Sequence, residues 1–185
     1  MFLFAIFFPL LSFFVCIFFN KILKDKVLNY ISCLLLILSV VCSLSSILFL
    51  GLDNQTTYFL GEWIVSGSLG IDWSINYSIL TGSMVLMVNF VSSLIHIYSV
   101  GYMENDPKKI IFMGYLGLFT FFMLLLVSSS NLVQLFLGWE GVGLTSYLLI
   151  GFWNHKNVAN EAALKAFIVN RVGDFGLLVG LFTTF

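Results

Sequence analysis

Long apolar runs separated by short polar segments dominate the pattern along this chain. A helix needs roughly 20 apolar residues to cross about 30 Å of hydrocarbon. Six segments meet that length: about 2–20, 30–52, 78–102, 110–128, 132–153 and 162–185. We therefore predict about six transmembrane helices, the first of them bent at Pro9.

The connection between the second and third runs has a different period. In "LGIDWSINY", alternate positions are apolar or aromatic: Leu69, Ile71, Trp73, Ile75 and Tyr77. A second short run, "TTYFLGEWIV", precedes it across the turn "SGS". Two period-2 runs around a Ser/Gly turn predict a short β-hairpin near 57–77. Trp63 and Trp73 are expected to anchor this hairpin at the membrane interface.

Composition supports a membrane protein. The 185 residues are 60% hydrophobic and only 9% charged, with a mean hydropathy of +1.05. Soluble domains have about 25% charged residues. The fold class predicted is therefore an all-α membrane protein. The net charge of −1 gives no basic surface for nucleic acid.

The first apolar run is expected to remain in the protein as a transmembrane helix. It lacks the basic start and the small-residue cleavage site of a secretory signal. Cys16, Cys33 and Cys42 lie within apolar runs, are odd in number and lack metal-ligand spacing. We interpret them as small apolar residues and predict no metal site.

The loop lysines indicate an orientation. All six lie in odd-numbered connections: Lys21, Lys24, Lys26, Lys108, Lys109 and Lys156. The second connection has no Lys or Arg and carries Asp53, Glu62 and Asp72. Odd-numbered connections should therefore face the positive-inside compartment, with the N-terminus on the other side.

Four ionisable residues lie within the last two predicted spans: Glu140, Lys165, Arg171 and Asp174. A charge at the bilayer centre costs roughly 2.5–3.5 kcal/mol on insertion scales and is a functional candidate. At 1.5 Å per residue, Glu140 and Asp174 each lie about 18–20 Å from the inside ends of adjacent antiparallel helices. Arg171, three residues before Asp174, shares its face. The alternative is a purely structural ion pair.

Two further candidates are weaker. Lys165 lies near the inside end of its span, where it could relay protons, extend to the interface or pair with Glu161. His96, on the third predicted helix, could pass protons near neutral pH or serve only in helix packing.

Small and hydroxyl-bearing residues surround Glu140. Glycines at 138, 141 and 143 could permit close helix crossings or leave room for water. Thr145, Ser146 and Tyr147 could hold water chains. A carboxylate that is desolvated beside a cation can be poised to take and release protons.

Several stretches together identify a family resemblance. "HIYSVGYM", "LFLGWEGVGLTSYLLIGFW", "AALKAFIVNRVGDFGLLVG" and "FLGEWIVSGSL" resemble subunit 5 of proton-pumping NADH–ubiquinone oxidoreductase, respiratory complex I, of mitochondrial type. The resemblance implies an antiporter-like helical bundle that translocates protons as a subunit of this enzyme. It also implies that Glu140 is the essential glutamate of the fifth span, with Asp174 and Arg171 on the sixth.

The resemblance carries further expectations. The chain should bind no cofactor, because NAD, FMN, iron–sulfur clusters and ubiquinone belong to other subunits. It should lie in the mitochondrial inner membrane as a multi-pass protein, with its lysine-rich loops facing the matrix. Its partners would be the lipid bilayer, the remainder of subunit 5 and other membrane-arm subunits. Residues 1–109 would form the N-terminal helices with the hairpin, and residues 110–185 the start of the proton-channel repeat.

This chain is shorter than the members of the family that it resembles. The seventh-helix lysine and the second repeat are absent, so we expect a partial sequence, with a split gene as the alternative. Two other functions stay open. One is a cation/proton antiporter subunit or plastid-type counterpart, and the other is a non-catalytic membrane assembly scaffold in which the acids merely pair with Arg171.

Overall fold

The computed structural model describes residues 1–50, 55–66 and 69–184. This part of the chain forms six helices and one hairpin, in the predicted order. The elements are α1 (Phe2–Phe18), α2 (Asp25–Leu50), β1 (Thr56–Ser66), β2 (Leu69–Tyr77), α3 (Ile79–Tyr102), α4 (Lys109–Val127), α5 (Leu132–Ile150) and α6 (Asn157–Thr184).

The helices confirm the predicted fold class. From α2 to α6, each helix is long and apolar enough to cross a membrane, whereas α1 is apolar but has 17 residues. Helix α2 begins at Asp25 and α6 at Asn157, five residues before the predicted spans. Apolar runs mark the hydrocarbon-crossing part of a helix, and these two helices continue into polar sequence beyond it.

Helix α4 occupies a central position in the bundle. It packs on α1, α3 and α5, while α6 packs on α5. Gly117 lets α4 lie close to α1, because an added Cβ atom there would be 2.9 Å from the carbonyl oxygen of Pro9. The predicted division at residue 109 stays a prediction.

Hydroxyl groups between the first helices find partners within the bundle. Ser12 Oγ lies 2.7 Å from Ser32 Oγ, and Ser39 Oγ donates to the carbonyl oxygen of Ala5 at 2.5 Å. Such bonds satisfy polar groups that water does not reach in a bilayer. Cys16 is fully buried, packs with Leu28, Ile110 and Met113 as the predicted small residue, and has the Ser12 and Ser32 hydroxyls beside its thiol.

The antiparallel hairpin lies against the α4–α5 turn. Ile71, Ile75 and Tyr77 are buried, as the alternating pattern predicts, and Trp63 packs edge-on against Trp73 with ring centroids 4.9 Å apart. The backbone N–H of Asn76 donates to the carbonyl oxygen of Ser128 at 2.9 Å. Residues 67–68 of the predicted Ser-Gly-Ser turn, Asp53 and Phe185 lie outside the described residues.

The odd-numbered connections meet at the opposite end of the bundle. Lys109 Nζ lies 3.2 Å from Asp25 Oδ2, which joins the starts of α4 and α2. Trp153 Nε1 donates to Asp106 Oδ2 at 3.0 Å, which joins the third and fifth connections. The lysine-bearing loops therefore share one side, as the charge pattern requires.

Candidate functional site

The candidate site lies between α5 and α6. Helix α5 begins at an N-cap, where Asn131 Oδ1 accepts a hydrogen bond from the backbone N–H of Gln134 at 2.7 Å. An asparagine at this position satisfies an otherwise unpaired helix N–H group. The cap fixes the start of α5 beside the hairpin.

The glycines of α5 allow close contacts with both neighbouring helices. A Cβ atom at Gly138 would lie 2.8 Å from the backbone of Leu126 in α4, and one at Gly141 would overlap the Phe122 ring. A Cβ atom at Gly143 would lie 2.5 Å from Asn170 Nδ2 in α6. Of the two roles considered for these glycines, close helix crossing therefore accounts for all three positions.

Arg171 joins the two helices through one guanidinium nitrogen. Its Nη1 donates to both carboxylate oxygens of Glu140, at 2.6 Å to Oε1 and 2.5 Å to Oε2. The guanidinium group also lies over the Phe167 ring, 4.9 Å from its centroid. Phe167 precedes Arg171 by one helical turn and supports it from the same helix.

Asp174 completes the cluster from a buried position. The residue is 3% exposed, and its Oδ1 accepts a hydrogen bond from Trp139 Nε1 at 2.8 Å. Its Oδ2 lies 3.8 Å from Arg171 Nη1 and has no hydrogen-bond partner within the described parts of the chain. Trp139 was not among the predicted site residues. The sequence could have indicated Trp139, because its indole lies within an apolar span, away from the membrane interfaces where Trp is enriched.

The predicted juxtaposition of Glu140, Arg171 and Asp174 is thus present in the structure. The two acids lie at different distances from the inner helix ends, about 15 Å for Glu140 and about 26 Å for Asp174. The difference arises because α6 begins five residues earlier, and α5 ends three residues earlier, than the apolar pattern indicates. The Glu140 side chain is 23% exposed and the Arg171 side chain is 50% exposed. The cluster therefore opens to one side of the α5–α6 pair.

Lys165 and His96 lie apart from this cluster. Lys165 is exposed, and neither Glu161 nor another described acid forms an ion pair with it. His96 is fully buried, with Nδ1 2.9 Å from the carbonyl oxygen of Ser92. Its Nε2 has no hydrogen-bond partner among the described residues. Helix α4 separates its helix, α3, from α5.

The hydroxyls near Glu140 bond to their own helix. Thr145 Oγ1 donates to the carbonyl oxygen of Gly141, and Ser146 Oγ to that of Gly143, each at 2.8 Å. Tyr147 packs its ring against Phe167. Over residues 1–50, 55–66 and 69–184, no group of three His, Cys, Asp or Glu side chains could hold a metal ion.

Comparisons with known proteins agree with this architecture. Residues 129–185 match the family described as NADH:quinone oxidoreductase/Mrp antiporter, TM. Residues 63–113 match the family described as NADH-Ubiquinone oxidoreductase (complex I), chain 5 N-terminus. A chain from the membrane-bound sulfane sulfur reductase, an archaeal respiratory membrane complex, shares the fold with a TM-score of 0.81. That alignment covers 95% of this chain and 35% of the other at 18% identity.

Individual relatives are much closer in sequence. NADH-ubiquinone oxidoreductase chain 5 of Chondrus crispus is 50% identical over 100% of this chain, and that of Acanthamoeba castellanii is 46% identical over the same share. NADH-quinone oxidoreductase subunit L of Rickettsia conorii is 48% identical over 89% of the chain. The chain spans 28%, 27% and 25% of the lengths of these three relatives.

Fold and matches together define a membrane subunit of the NADH:quinone oxidoreductase and antiporter class. Within that class, the chain belongs to the NADH-ubiquinone oxidoreductase chain 5 family and corresponds to its N-terminal portion.

Proposed function

We propose that this chain is the N-terminal part of a proton-translocating membrane subunit of respiratory complex I. The whole enzyme would couple NADH:ubiquinone electron transfer to proton pumping. The observation that carries the proposal is the charged cluster between α5 and α6, in which Arg171 Nη1 contacts both carboxylate oxygens of Glu140 beside the buried Asp174. Similarity to chain 5 relatives along the full chain supports it.

The charge count of the cluster suits a proton-transfer site. With both carboxylates ionised, Arg171 compensates only one of them. A single added proton would make the cluster neutral, and surroundings of low dielectric favour neutrality. Glu140 would take up and release that proton, Arg171 would stabilise the ionised state, and Asp174 would be the second acid.

Lys165 and His96 are lesser candidates in this proposal. Each could act as a relay at another stage of the route, because lysine and histidine can both exchange protons when their surroundings favour it. Neither contacts the cluster within the described parts of the chain.

The proposed setting is the mitochondrial inner membrane. The lysine-bearing connections would face the matrix by the positive-inside rule. Other membrane-arm subunits and the remainder of the same subunit would contact the helices, and lipid would cover the rest. We propose that this chain binds no redox cofactor, so that NAD, FMN, iron–sulfur clusters and ubiquinone are held by other subunits.

The test is Glu140→Gln in the full-length subunit within its assembled complex. We expect assembly to survive, while proton transfer through this site falls about 100-fold, as losing a proton-transfer group typically costs. The readout is acidification of proteoliposomes per NADH oxidised. Glu104→Gln is the matched control, since it removes an exposed carboxyl group in the third connection, outside the cluster. Normal pumping by an assembled Glu140→Gln complex would overturn the proposal.

The same ion pair also fits a non-catalytic assembly scaffold, because it links α5 to α6. That function predicts the reverse result for Glu140→Gln, with less assembled complex but normal pumping by what remains. The match over residues 129–185 includes antiporters in its description. Proton movement driven by another cation in vesicles without NADH would favour that alternative.

A further inference from the structure

Trp139 contacts the buried acid of the cluster directly. Its indole Nε1 donates to Asp174 Oδ1 at 2.8 Å, and Asp174 is 3% exposed. We propose that Trp139 is a positioning residue, which orients the Asp174 carboxyl group for proton transfer. This inference rests on the proposed function and extends it to a neutral residue beside the three charged ones.

The contact forms one half of a two-point junction. Consecutive residues of α5, Trp139 and Glu140, bond to residues one turn apart on α6, Asp174 and Arg171 respectively. The order is reversed between the helices, as antiparallel packing requires. A shift of either helix along its axis by one turn would break both contacts.

The chemistry of indole suits this role. Its N–H group can donate a hydrogen bond but cannot accept one or exchange a proton near neutral pH. Trp139 therefore holds Oδ1 of Asp174 without competing for the transferred proton. The other oxygen, Oδ2, stays buried 3.8 Å from Arg171 Nη1, with no hydrogen-bond partner in the described chain.

This arrangement assigns different tasks to the two oxygens of Asp174. Oδ1 is fixed, and Oδ2 can receive a proton, or the Arg171 guanidinium group when that group leaves Glu140. Without the indole N–H, the terminal torsion of Asp174 is free to rotate, because such torsions have broad minima. Oδ2 would then no longer be held towards Arg171.

The test compares two tryptophans that donate to aspartates. Trp139→Phe removes the indole N–H within the cluster and keeps an aromatic ring. Trp153→Phe removes the indole N–H that bonds Asp106 at 3.0 Å outside the cluster. In the assembled full-length complex, we expect Trp139→Phe to lower proton translocation about 10- to 100-fold, the scale of a 1 Å misplacement. Its pH profile should also shift, while Trp153→Phe pumps with the wild-type profile.

A second substitution shows whether Trp139 acts through Asp174. In an Asp174→Asn background, adding Trp139→Phe should change neither rate nor pH profile further. A further loss of the same size in that background would overturn the inference, because Trp139 would then act independently of Asp174.

The results separate this inference from the proposed function. If Glu140→Gln and Asp174→Asn lower pumping but Trp139→Phe matches Trp153→Phe at every pH, only the role of Trp139 fails. If Glu140→Gln and Asp174→Asn both pump normally, the proposed function itself fails.

Should Trp139→Phe fail to assemble, nitrogen-15 labelling of the indole groups provides another measurement. Asp174→Asn should move one indole resonance that Asp106→Asn leaves in place. If no resonance moves in Asp174→Asn, the inference is overturned.

Discussion

Arg171 contacts Glu140 through Nη1 alone, and the same nitrogen is the one that lies 3.8 Å from Asp174 Oδ2. A two-nitrogen fork would hold one carboxylate in a fixed plane. Contact through one nitrogen instead places a single donor group between two acids. A small rotation of the guanidinium group would exchange one partner for the other.

The first prediction concerns the cation itself. Arg171→Lys keeps the positive charge but loses the stacking on Phe167, a contact worth about 0.5–1 kcal/mol at exposed sites. We expect proton translocation within about fivefold of wild type, since 1 kcal/mol is a factor of about five. Arg171→Gln leaves two acids without their cation and should abolish translocation. Proteoliposome acidification measures both, and equal activity of the two variants would contradict the charge argument.

The second prediction concerns the close packing of α5 on α4. Gly138→Ala would place a methyl group 2.8 Å from the Leu126 backbone, which cannot move away without displacing α4. Overpacking of this kind costs about 1–3 kcal/mol. Thermal unfolding of the purified subunit should therefore shift to lower temperature. Gly101→Ala is the control, because, apart from its chain neighbours and the adjacent backbone of its own helix, no atom of the described chain lies within 4 Å of its added Cβ. A normal unfolding temperature for Gly138→Ala would contradict the helix contact.

The third prediction concerns acid pH and the loop contact outside the membrane. The Trp153 indole N–H and, less strongly, the Lys108 backbone N–H hold the pKa of Asp106 below its ordinary value. A carboxyl group whose pKa is lowered by folding contributes stability above its unfolded pKa, about 3.9, and loses that contribution as pH falls through the folded pKa. The Trp153–Asp106 contact should therefore persist at neutral pH and open in acid.

Trp153→Phe tests this contact. Trp153→Phe removes the hydrogen bond that lowers the Asp106 pKa most, so the pKa should rise towards its ordinary value. A carbon-13 NMR titration of the Asp106 carboxyl group measures the change, with Lys24→Gln in the first connection as a control that removes an exposed charge away from Trp153. An unchanged titration in Trp153→Phe would show that the indole is not the cause.

The fourth prediction separates the two roles considered for His96. Its Nδ1 faces the Ser92 carbonyl oxygen, and helix α4 lies between its helix and the cluster. His96→Gln keeps a hydrogen-bond donor but cannot carry a proton at neutral pH. We expect pumping close to wild type, which would assign His96 to helix packing. A loss comparable to that in Glu140→Gln would instead make it a relay.

Much of the fold follows from the sequence for a simple reason. In a bilayer, hydrophobic length sets the number of spans and backbone hydrogen bonding makes them helical. The period of two in β2 likewise identified Ile71, Ile75 and Tyr77 as its buried face. Helix ends were less accurate, because α6 continues through the polar residues 157–161 that the hydropathy pattern excluded.

The side chains that contact the charged cluster could not be predicted from the hydropathy pattern. Spacing placed Arg171 and Asp174 on one face, but α6 is apolar around most of its circumference, so its rotation about its axis was not determined. Trp139, Phe167 and Asn170 contact the cluster or its glycines only at the rotation seen in the structure. Sequence reasoning therefore found the charged residues and missed the neutral residues that hold them.

The central claim is that Glu140 changes its protonation state during turnover. Infrared difference spectroscopy of the assembled complex, before and after NADH addition, observes this directly through the carbonyl stretch of protonated carboxyl groups. We predict a band that is present in wild type and Glu104→Gln and absent in Glu140→Gln. A band that persists unchanged in Glu140→Gln, or no carboxyl band in an actively pumping wild-type complex, would contradict the account.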